Sequence, residues 1–311
     1  MTERPQIVLD CDPGLDDAAA IAVASQYADL VGITTVGGNA PLADVTTNAL
    51  LTVQVLGIDV EVHAGAERPL VAPPRTAPEI HGAHGFAGPT LPPLERQVAS
   101  NDAVPYLIET IRATEGLWLV PTGPLTNVAL ALRAAPDLAG RLAGISFMGG
   151  SAGAGNHTPV GEFNILVDPE AAATVLSAPT TIRMAGLDLT HQFVVDDALA
   201  TDVRAVGTAG AEMLADLIVA YLDNVEGIRG RRQGGLHDPC AVLAVTHPGL
   251  VSHVRRRVEV ELAGTHTRGM TVVDQRLPAG VDDPEGSVEH GHTLDHGAAR
   301  SALLDALAAH D

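Results

Sequence analysis

Four carboxylates lie within eight residues near the start of the chain, in the segment Asp10-Cys11-Asp12-Pro13-Gly14-Leu15-Asp16-Asp17. Like charges at this spacing repel one another and raise one another's pKa unless a positive charge lies among them. A divalent cation is the simplest such charge, and carboxylates are its usual ligands. The alternative is a solvated turn with acidic residues at a helix N-terminus, which accounts poorly for four acids on one short turn. The segment therefore predicts a binding site.

The flanking residues indicate how these acids are positioned. We predict a short buried strand at Ile7–Leu9 and a helix at Ala18–Ala28. Side chains alternate along a strand, so Asp10 and Asp12 share one face, and the turn that follows lets the later two acids converge on the same place. The acids thus lie at the carboxyl end of the first strand, where open α/β sheets bind their ligands.

The rest of the chain alternates between strand-like and helix-like segments separated by polar or glycine turns. The predicted strands are 31–36, 60–64, 117–120, 145–148 and 181–184, and the predicted helices are 44–56 and 125–135. This alternation predicts an α/β fold with a mainly parallel sheet and helices on both sides. Segments 258–262 and 270–273 predict a hairpin with one solvated face. The long irregular stretches 69–93 and 152–160 predict loops, which at this length are usually functional or disordered.

Composition excludes several classes of function. The chain has 311 residues, of which 46% are hydrophobic, enough to bury a substantial core in one large domain or two. A net charge of -20 argues against nucleic acid or an anionic membrane as a partner, and short, interrupted apolar runs predict no membrane span. Cys11 and Cys240 offer no disulfide framework and are expected to be small buried residues. With no room for a signal peptide before the first strand, we expect a reducing, cytoplasmic location.

Six motifs follow one another along the chain: Asp10-x-Asp12-Pro-Gly-x-Asp16-Asp17, Gly37-Gly38-Asn39, Pro121-Thr122-Gly123-Pro124-Leu125-Thr126-Asn127, Met148-Gly-Gly, Glu162-Phe163-Asn164 and His237-Asp238-Pro239. In this order they resemble the inosine–uridine-preferring nucleoside hydrolase family, from about Ile7 to Leu307. The resemblance implies a single Rossmann-like α/β domain, residues 1–311. It also implies hydrolysis of a ribonucleoside to free base and ribose, a bound Ca²⁺, a small-molecule nucleoside as partner, and a homodimer or homotetramer.

The resemblance also implies roles for individual residues. Asp12 would be the general base and a metal ligand, and the other metal ligands would be Asp17, Asp238 and the backbone carbonyl of Thr122. His237 would protonate or hydrogen-bond the leaving base. The remaining substrate-binding residues would be Asp16 and Asn39 at the ribose 2′ and 3′ hydroxyls with Asp238 sharing the 3′ side, Asn156, Glu162 and Asn164 at the 5′ hydroxyl, His81, Tyr221 and Arg229 at the base, and Met148.

Three further expectations concern neighbours of these motifs. Asp10 is expected to orient its neighbours through hydrogen bonds. Asp238 before Pro239 is typical of an N-cap with Pro at the first helical position. Asp188 is expected to belong to a structural hydrogen-bond cluster with the adjacent Thr190-His191 pair.

Substrate preference and two other functions remain open. Val225 or a neighbour stands where some family members carry a second aromatic residue, which favours pyrimidine or broad specificity. One alternative is a metal-dependent phosphohydrolase, although no lysine is positioned to bind phosphate. The other is a non-catalytic nucleoside- or ribose-binding protein, although Asp12 and His237 would then serve no purpose. Free ribose, inorganic phosphate or neither product would distinguish the three.

Overall fold

The computed structural model describes residues 4–310. The strands are β1 (Gln6–Cys11), β2 (Asp29–Thr35), β3 (Val62–Ala64), β4 (Trp118–Pro121), β5 (Gly144–Met148), β6 (Ile182–Ala185), β7 (Val194–Val195), β8 (Gly234–Gly235), β9 (Val251–Arg256), β10 (Val258–Val260), β11 (Thr271–Val273) and β12 (Val288–Leu294). The helices are α1 (Leu15–Tyr27), α2 (Leu42–Val55), α3 (Pro78–His81), α4 (Ala103–Ala113), α5 (Thr126–Ala134), α6 (Phe163–Val167), α7 (Pro169–Leu176), α8 (Leu187–Thr190), α9 (Asp197–Val206), α10 (Ala209–Arg229), α11 (Pro239–Thr246) and α12 (His296–Ala308), with a 3-10 turn at Pro136–Leu138.

Eight strands form the central sheet in the order β3-β2-β1-β4-β5-β6-β12-β9. Neighbouring strands are parallel except for the last pair, β12 and β9, which is antiparallel. The predicted α/β fold with a mainly parallel sheet is therefore confirmed. The predicted hairpin is also confirmed, since β10 and β11 pair antiparallel and Glu259 is exposed between the buried Val258 and the half-buried Val260.

The strand order reverses at β1 and β4. From β1 the chain builds outward through β2 and β3, and β4 then starts the other half of the sheet on the opposite side of β1. The carboxyl ends of these two strands are joined by a hydrogen bond of 2.8 Å from the backbone N–H of Thr122 to the carbonyl of Asp10. Ligands of open α/β sheets bind outside such a switch point, so the fold places the acidic segment where a ligand is expected.

Helix α1 fixes the position of the acidic segment. It is buried from Leu15 to Ala24 and packs against α10, α11 and α12, and its run of alanines lets these helices approach closely. A helix that is apolar on every side is stable only when it is surrounded by protein. The helix begins at Leu15, before the predicted Ala18, so Asp16 and Asp17 lie in its first turn, where the helix dipole favours negative charge.

Other elements were not predicted from the sequence pattern. They are α3 and α4 in the first half of the chain and, in the second half, α6, α7, α8, α9, α10, α12, β7, β8, β9 and β12. The sequence of β12, Val-Glu-His-Gly-His-Thr-Leu, mixes polar residues into a strand that lies inside the sheet. The 69–93 stretch contains the single turn α3, whereas 152–160 has no helix or strand. Among residues 4–310, no helix is both long and apolar enough to cross a membrane.

Candidate active site

Three acidic side chains from two helix starts meet at the switch point. Carboxylate oxygens of Asp16, Asp17 and Asp238 lie within 4.8 Å of one another. Asp17 accepts four hydrogen bonds, of which the shortest come from the Thr122 hydroxyl at 2.8 Å and the backbone N–H of Gly14 at 3.0 Å. The hydroxyl of Thr122 therefore positions a carboxylate of the cluster. It does not cap α5, which begins four residues later.

The electrostatics of this acidic cluster fit a divalent cation. Burial raises the pKa of Asp16 and of Asp17 to about 6, and burial with the charges of these two acids raises the pKa of Asp238 well above its usual range. One oxygen of Asp16, Oδ1, is buried with no hydrogen-bond partner among the described residues. Buried carboxylates in such a group require a positive charge to stay ionised, and all-oxygen donors suit a hard cation such as Ca²⁺ or Mg²⁺.

Asp238 reaches this cluster because its side chain does not cap α11. The residue occupies the N-cap position and Pro239 is the first residue of α11, as predicted, but no side-chain capping bond forms. The N-cap backbone of Asp238 is helical, with φ -67° and ψ -37°. The carboxylate is consequently free to join Asp16 and Asp17.

Asp12 lies at the end of β1 and is 1% exposed. Its Oδ2 accepts a hydrogen bond of 2.7 Å from the backbone N–H of Asn39, whose side-chain amide donates to the Asp12 carbonyl at 3.0 Å. Burial, followed by the charge of Asp17, raises the pKa of Asp12 well above its usual range. Glycines border the carboxylate on two sides: a Cβ at Gly38 would overlap its Oδ2, and a Cβ at Gly123 would lie 2.7 Å from its Oδ1.

The side-chain amide of Asn164 links the ends of two neighbouring strands. Its Nδ2 donates to the carbonyl of Thr122 at 2.7 Å and to the carbonyl of Met148 at 3.2 Å. Thr122 follows β4 and Met148 ends β5, so the amide bridges adjacent strand ends. The Thr122 carbonyl, which the family resemblance assigns to the metal, therefore has Asn164 as its donor here.

Glu162 caps α6 with a buried carboxylate. Its oxygens accept from the backbone N–H groups of Asn164 at 3.0 Å, Gly150 at 2.9 Å and Ile165 at 3.2 Å. Burial nevertheless raises its pKa to about 7, since the hydrogen bonds only partly offset the loss of water. Close by, Oδ1 of Asn156 accepts from the backbone N–H of Phe163 at 3.0 Å.

A cavity of about 260 Å³ unites these groups. Every predicted site residue lines it except Asp12 and Asp17, which lie behind its wall. The lining residues that were predicted are Asp16, Asn39, His81, Thr122, Met148, Asn156, Glu162, Asn164, Tyr221, Arg229, His237 and Asp238. The sequence motifs thus converge on one cavity, and the role of each residue in it remains a prediction.

The cavity is also lined by imidazole rings and by one side of α10. Nδ1 of His237 lies 2.7 Å from the hydroxyl of Thr190. Burial and the neighbouring His191 and His81 lower the pKa of His237 to about 3, and burial lowers the pKa of His81 to about 4. Both rings are therefore neutral at pH 7. Burial raises the pKa of Tyr221 to about 12, so its hydroxyl keeps its proton.

Several lining residues were missed as site residues. His191 has its ring centroid 5.5 Å from that of His237, and Phe163 lies inside a motif whose two polar members were predicted. Ile228 also lines the cavity and is 53% exposed. The helical spacing of Tyr221, Val225 and Ile228 places them on one face of α10, a signal that could have identified Ile228.

The expectations for the neighbouring residues have mixed outcomes. Asp10 orients its neighbours as predicted, accepting from the Thr34 hydroxyl at 2.6 Å and from the Asn127 amide at 2.8 Å. Both cysteines are buried and free, also as predicted. Asp188 belongs to a structural cluster with the backbone N–H of Ala152, at 2.7 Å, and with His290. Thr190 as a member of that cluster is wrong, because its hydroxyl contacts His237.

Comparisons with known proteins agree with this geometry. The family model for inosine-uridine preferring nucleoside hydrolases matches residues 7–300. The inosine-uridine preferring nucleoside hydrolase of Leishmania major is 42% identical over 279 residues, 88% of each chain. The pyrimidine-specific ribonucleoside hydrolase RihB of Shigella sonnei is 40% identical over 297 residues, 94% of each chain. A solved purine-preferring ribonucleoside hydrolase from Gardnerella vaginalis superposes with a TM-score of 0.89 at 30% identity, covering 98% of each chain.

Proposed function

The chain belongs to the inosine-uridine preferring nucleoside hydrolase family, and from this premise we propose that it hydrolyses the N-glycosidic bond of ribonucleosides with the help of Ca²⁺. The observation that carries the proposal is the acidic cluster of Asp16, Asp17 and Asp238 beside a cavity that is also lined by the neutral imidazoles of His81 and His237. Such a site can treat the two sides of a glycosidic bond differently. The phosphohydrolase alternative lacks this support.

The metal-binding residues would be Asp12, Asp17, Asp238 and the carbonyl of Thr122, with the close approach of Asp16 adding to the negative charge. When bound, a divalent cation lowers the pKa of a water molecule and fixes its position. The donors are all oxygen, which favours Ca²⁺ over zinc or copper. Asn164 would have to share or release the Thr122 carbonyl, which it contacts at 2.7 Å.

Asp12 would act as the general base. Its raised pKa makes the carboxylate a stronger proton acceptor than an exposed aspartate. The bond from Asn39 to Oδ2 fixes the plane of the carboxylate, so that Oδ1 is the atom left to accept the proton of the attacking water. The glycines at 38 and 123 leave the space that the Asp12 carboxylate occupies in this position.

The sugar would lie between the acidic cluster and the 152–160 loop. Asp16, Asn39 and Asp238 would accept from the 2′ and 3′ hydroxyls, while Asn156, Glu162 and Asn164 would hold the 5′ hydroxyl beside Met148. Glu162 already accepts from backbone amides, but a carboxylate has about four lone-pair sites, so it retains capacity for a hydroxyl. Holding the ribose at both ends would favour the flattened ring of an oxocarbenium-like transition state over the puckered ring of the substrate.

His237 would serve the leaving base through a hydrogen bond. Because its pKa is lowered to about 3, the ring is a neutral donor in the ligand-free protein. His81, Tyr221 and Arg229 would complete the contacts to the base. Val225 and Ile228, both aliphatic, line the same cavity, which supports the preference for pyrimidine or broad specificity.

Quaternary structure and location complete the proposal. We expect a homodimer or homotetramer, as the family resemblance implies, and a cytoplasmic enzyme. Light scattering during size-exclusion chromatography would measure the mass of the assembly against the 32.0 kDa of the chain.

The deciding experiment measures release of reducing sugar from inosine, adenosine, uridine and cytidine, each with added Ca²⁺ and again with chelator. We expect release that depends on Ca²⁺, with the pyrimidine nucleosides at least as good as the purines. Full activity in chelator after exhaustive dialysis would overturn the metal proposal. Absence of ribose from all four nucleosides, with metal binding demonstrated, would favour the binding-protein alternative.

A further inference from the structure

Thr190 contacts the leaving-group side of the site without lining the cavity. It ends the single turn α8 and is fully buried, and its hydroxyl lies 2.7 Å from Nδ1 of His237. None of the six motifs includes it.

The backbone around this contact is tightly connected. The N–H of Leu236 donates to the carbonyl of Phe193 at 2.8 Å, and the N–H of Phe193 donates to the carbonyl of Thr190 at 3.1 Å. Strands β7 and β8 pair between these residues, joining Val194 to Gly235. Thr190 and His237 are therefore brought together by a short chain of backbone bonds, and their separation is fixed by the fold rather than by a flexible loop.

The hydroxyl determines which imidazole nitrogen is available to a ligand. A threonine hydroxyl can donate to Nδ1 or accept from it, and in either case Nδ1 is engaged. His237 lines the cavity, so Nε2 is the nitrogen left for the substrate. The partner of one ring nitrogen sets both the tautomer and the orientation of the other.

We propose that Thr190 is a positioning residue for the leaving base: by donating its hydroxyl proton to Nδ1, it holds His237 as the neutral tautomer whose Nε2–H hydrogen-bonds the departing base. The inference rests on the proposed nucleoside hydrolysis. It assigns to α8 a role in leaving-group stabilisation beyond filling space between β6 and β7.

Substitution by valine tests the proposal, since valine keeps the shape of threonine and removes the hydroxyl. The substrates are uridine and inosine, whose bases need a hydrogen bond to leave, and p-nitrophenyl ribofuranoside, whose phenolate leaves unaided. For Thr190→Val we expect kcat on the nucleosides to fall about 10- to 100-fold, the usual cost of losing a residue that orients a functional histidine. The rate on the phenyl riboside should stay within about threefold of the unmodified protein.

Two companion variants isolate the hydroxyl. Thr190→Ser should restore most of the nucleoside activity. Thr190→Ala should not restore the nucleoside activity. If Thr190→Val does not fold, the serine and alanine variants are compared with each other instead. The matched control is Thr52→Val on α2, where a fully buried threonine donates to the Asn48 carbonyl at 2.8 Å away from the cavity; it should leave both rates unchanged.

A spectroscopic measurement is independent of turnover. In the ¹⁵N spectrum of histidine-labelled protein, the resonances assigned through His237→Gln should report the Nε2–H tautomer, and Thr190→Val should shift them. Equal losses on nucleosides and on the phenyl riboside, or an unchanged His237 spectrum in Thr190→Val, would overturn the proposal. If the unmodified protein released no ribose from any nucleoside, the proposed function would fail instead.

Discussion

At the scale of single residues, the acidic side chains of the site have little conformational freedom. Asp12, Asp17 and Glu162 each accept from backbone N–H groups, and Asp12 is further enclosed by Asn39 and two glycines. Their positions are therefore set by the main chain before any ligand binds. Preorganised groups of this kind stabilise a transition state without reorganising during the reaction.

The first residue-scale prediction concerns the general base. Asp12→Asn should retain the fold, because an amide oxygen can still accept from Asn39, while kcat should fall about 10³-fold or more. Steady-state kinetics on uridine would measure the loss, with circular dichroism to verify folding. Asp44→Asn, at a partly exposed position of α2, is the control. Near-normal turnover of Asp12→Asn would contradict the assignment.

The second residue-scale prediction concerns Tyr221, the aromatic residue proposed to contact the nucleobase. Tyr221→Ala should raise KM about tenfold, the size of a lost aromatic contact of about 1.4 kcal/mol, with a smaller effect on kcat. Tyr221→Phe, which keeps the ring, should preserve KM if stacking is the contribution. Kinetics on all four nucleosides would show this, and unchanged KM on each of them would remove Tyr221 from the base site.

At the scale of elements, the site depends on where helices begin. Asp16 and Asp17 lie in the first turn of α1, Asp238 precedes α11, and Glu162 caps α6. Each of these helices begins just after a strand or after a loop near the end of a strand. Because the strands are parallel, the helix N-termini and their acids come together at one edge of the sheet. The favourable helix dipoles offset part of the repulsion among these acids.

The cap of α6 gives a prediction for stability. The pKa of Glu162 is raised from 4.5 to about 7, so the folded state holds a proton that the unfolded state releases in this range. Its contribution to the free energy of unfolding therefore decreases as the pH rises from about 4.5 to about 7. Glu162→Gln lacks this titration, so its stability relative to the unmodified protein should increase with pH.

Urea unfolding at several pH values from about 5 to about 8 measures this difference. Glu109→Gln on the exposed side of α4 provides the control for loss of one negative charge. If the pH profiles of Glu162→Gln and the unmodified protein run parallel, the raised pKa is refuted.

The elements also show what sequence can and cannot predict. The first six strands were placed within about two residues because β-branched runs ending in glycine or polar turns are strong local signals. Strand β12 was missed because His290, Gly291 and His292 break its apolar pattern, although β6 and β9 enclose it. Similarly, the motifs identified most residues of the cavity, but the contact of Thr190 with His237 forms where β7 pairs with β8, which no local pattern reveals.

At the scale of the whole molecule, the buried acids of the site lower the free energy of unfolding. Several buried carboxylates with raised pKa values oppose folding at neutral pH, and the surrounding core must offset them. A cation that binds the folded state alone should relieve this cost and stabilise the protein by mass action, by about 2.7 kcal/mol at 100 times its Kd.

We therefore predict that Ca²⁺ raises the melting temperature and that chelator lowers it reversibly. Differential scanning calorimetry with Ca²⁺, with Mg²⁺ and with chelator would measure the effect, and Asp17→Asn should abolish it. Asp202→Asn on α9, exposed and paired with Arg300, should leave the Ca²⁺ effect intact. A melting temperature indifferent to both Ca²⁺ and chelator would refute a metal bound at the acidic cluster.

The site requires that the two glycines beside Asp12 carry no side chain. In a library that samples every codon at every position, selected for growth on a nucleoside, positions 38 and 123 should tolerate replacement as poorly as the aspartates themselves. The space they leave is occupied by a carboxylate, so even alanine would displace it. A designer who redirects this scaffold to other sugars could vary the 152–160 loop and the face of α10, and would have to leave these two positions untouched.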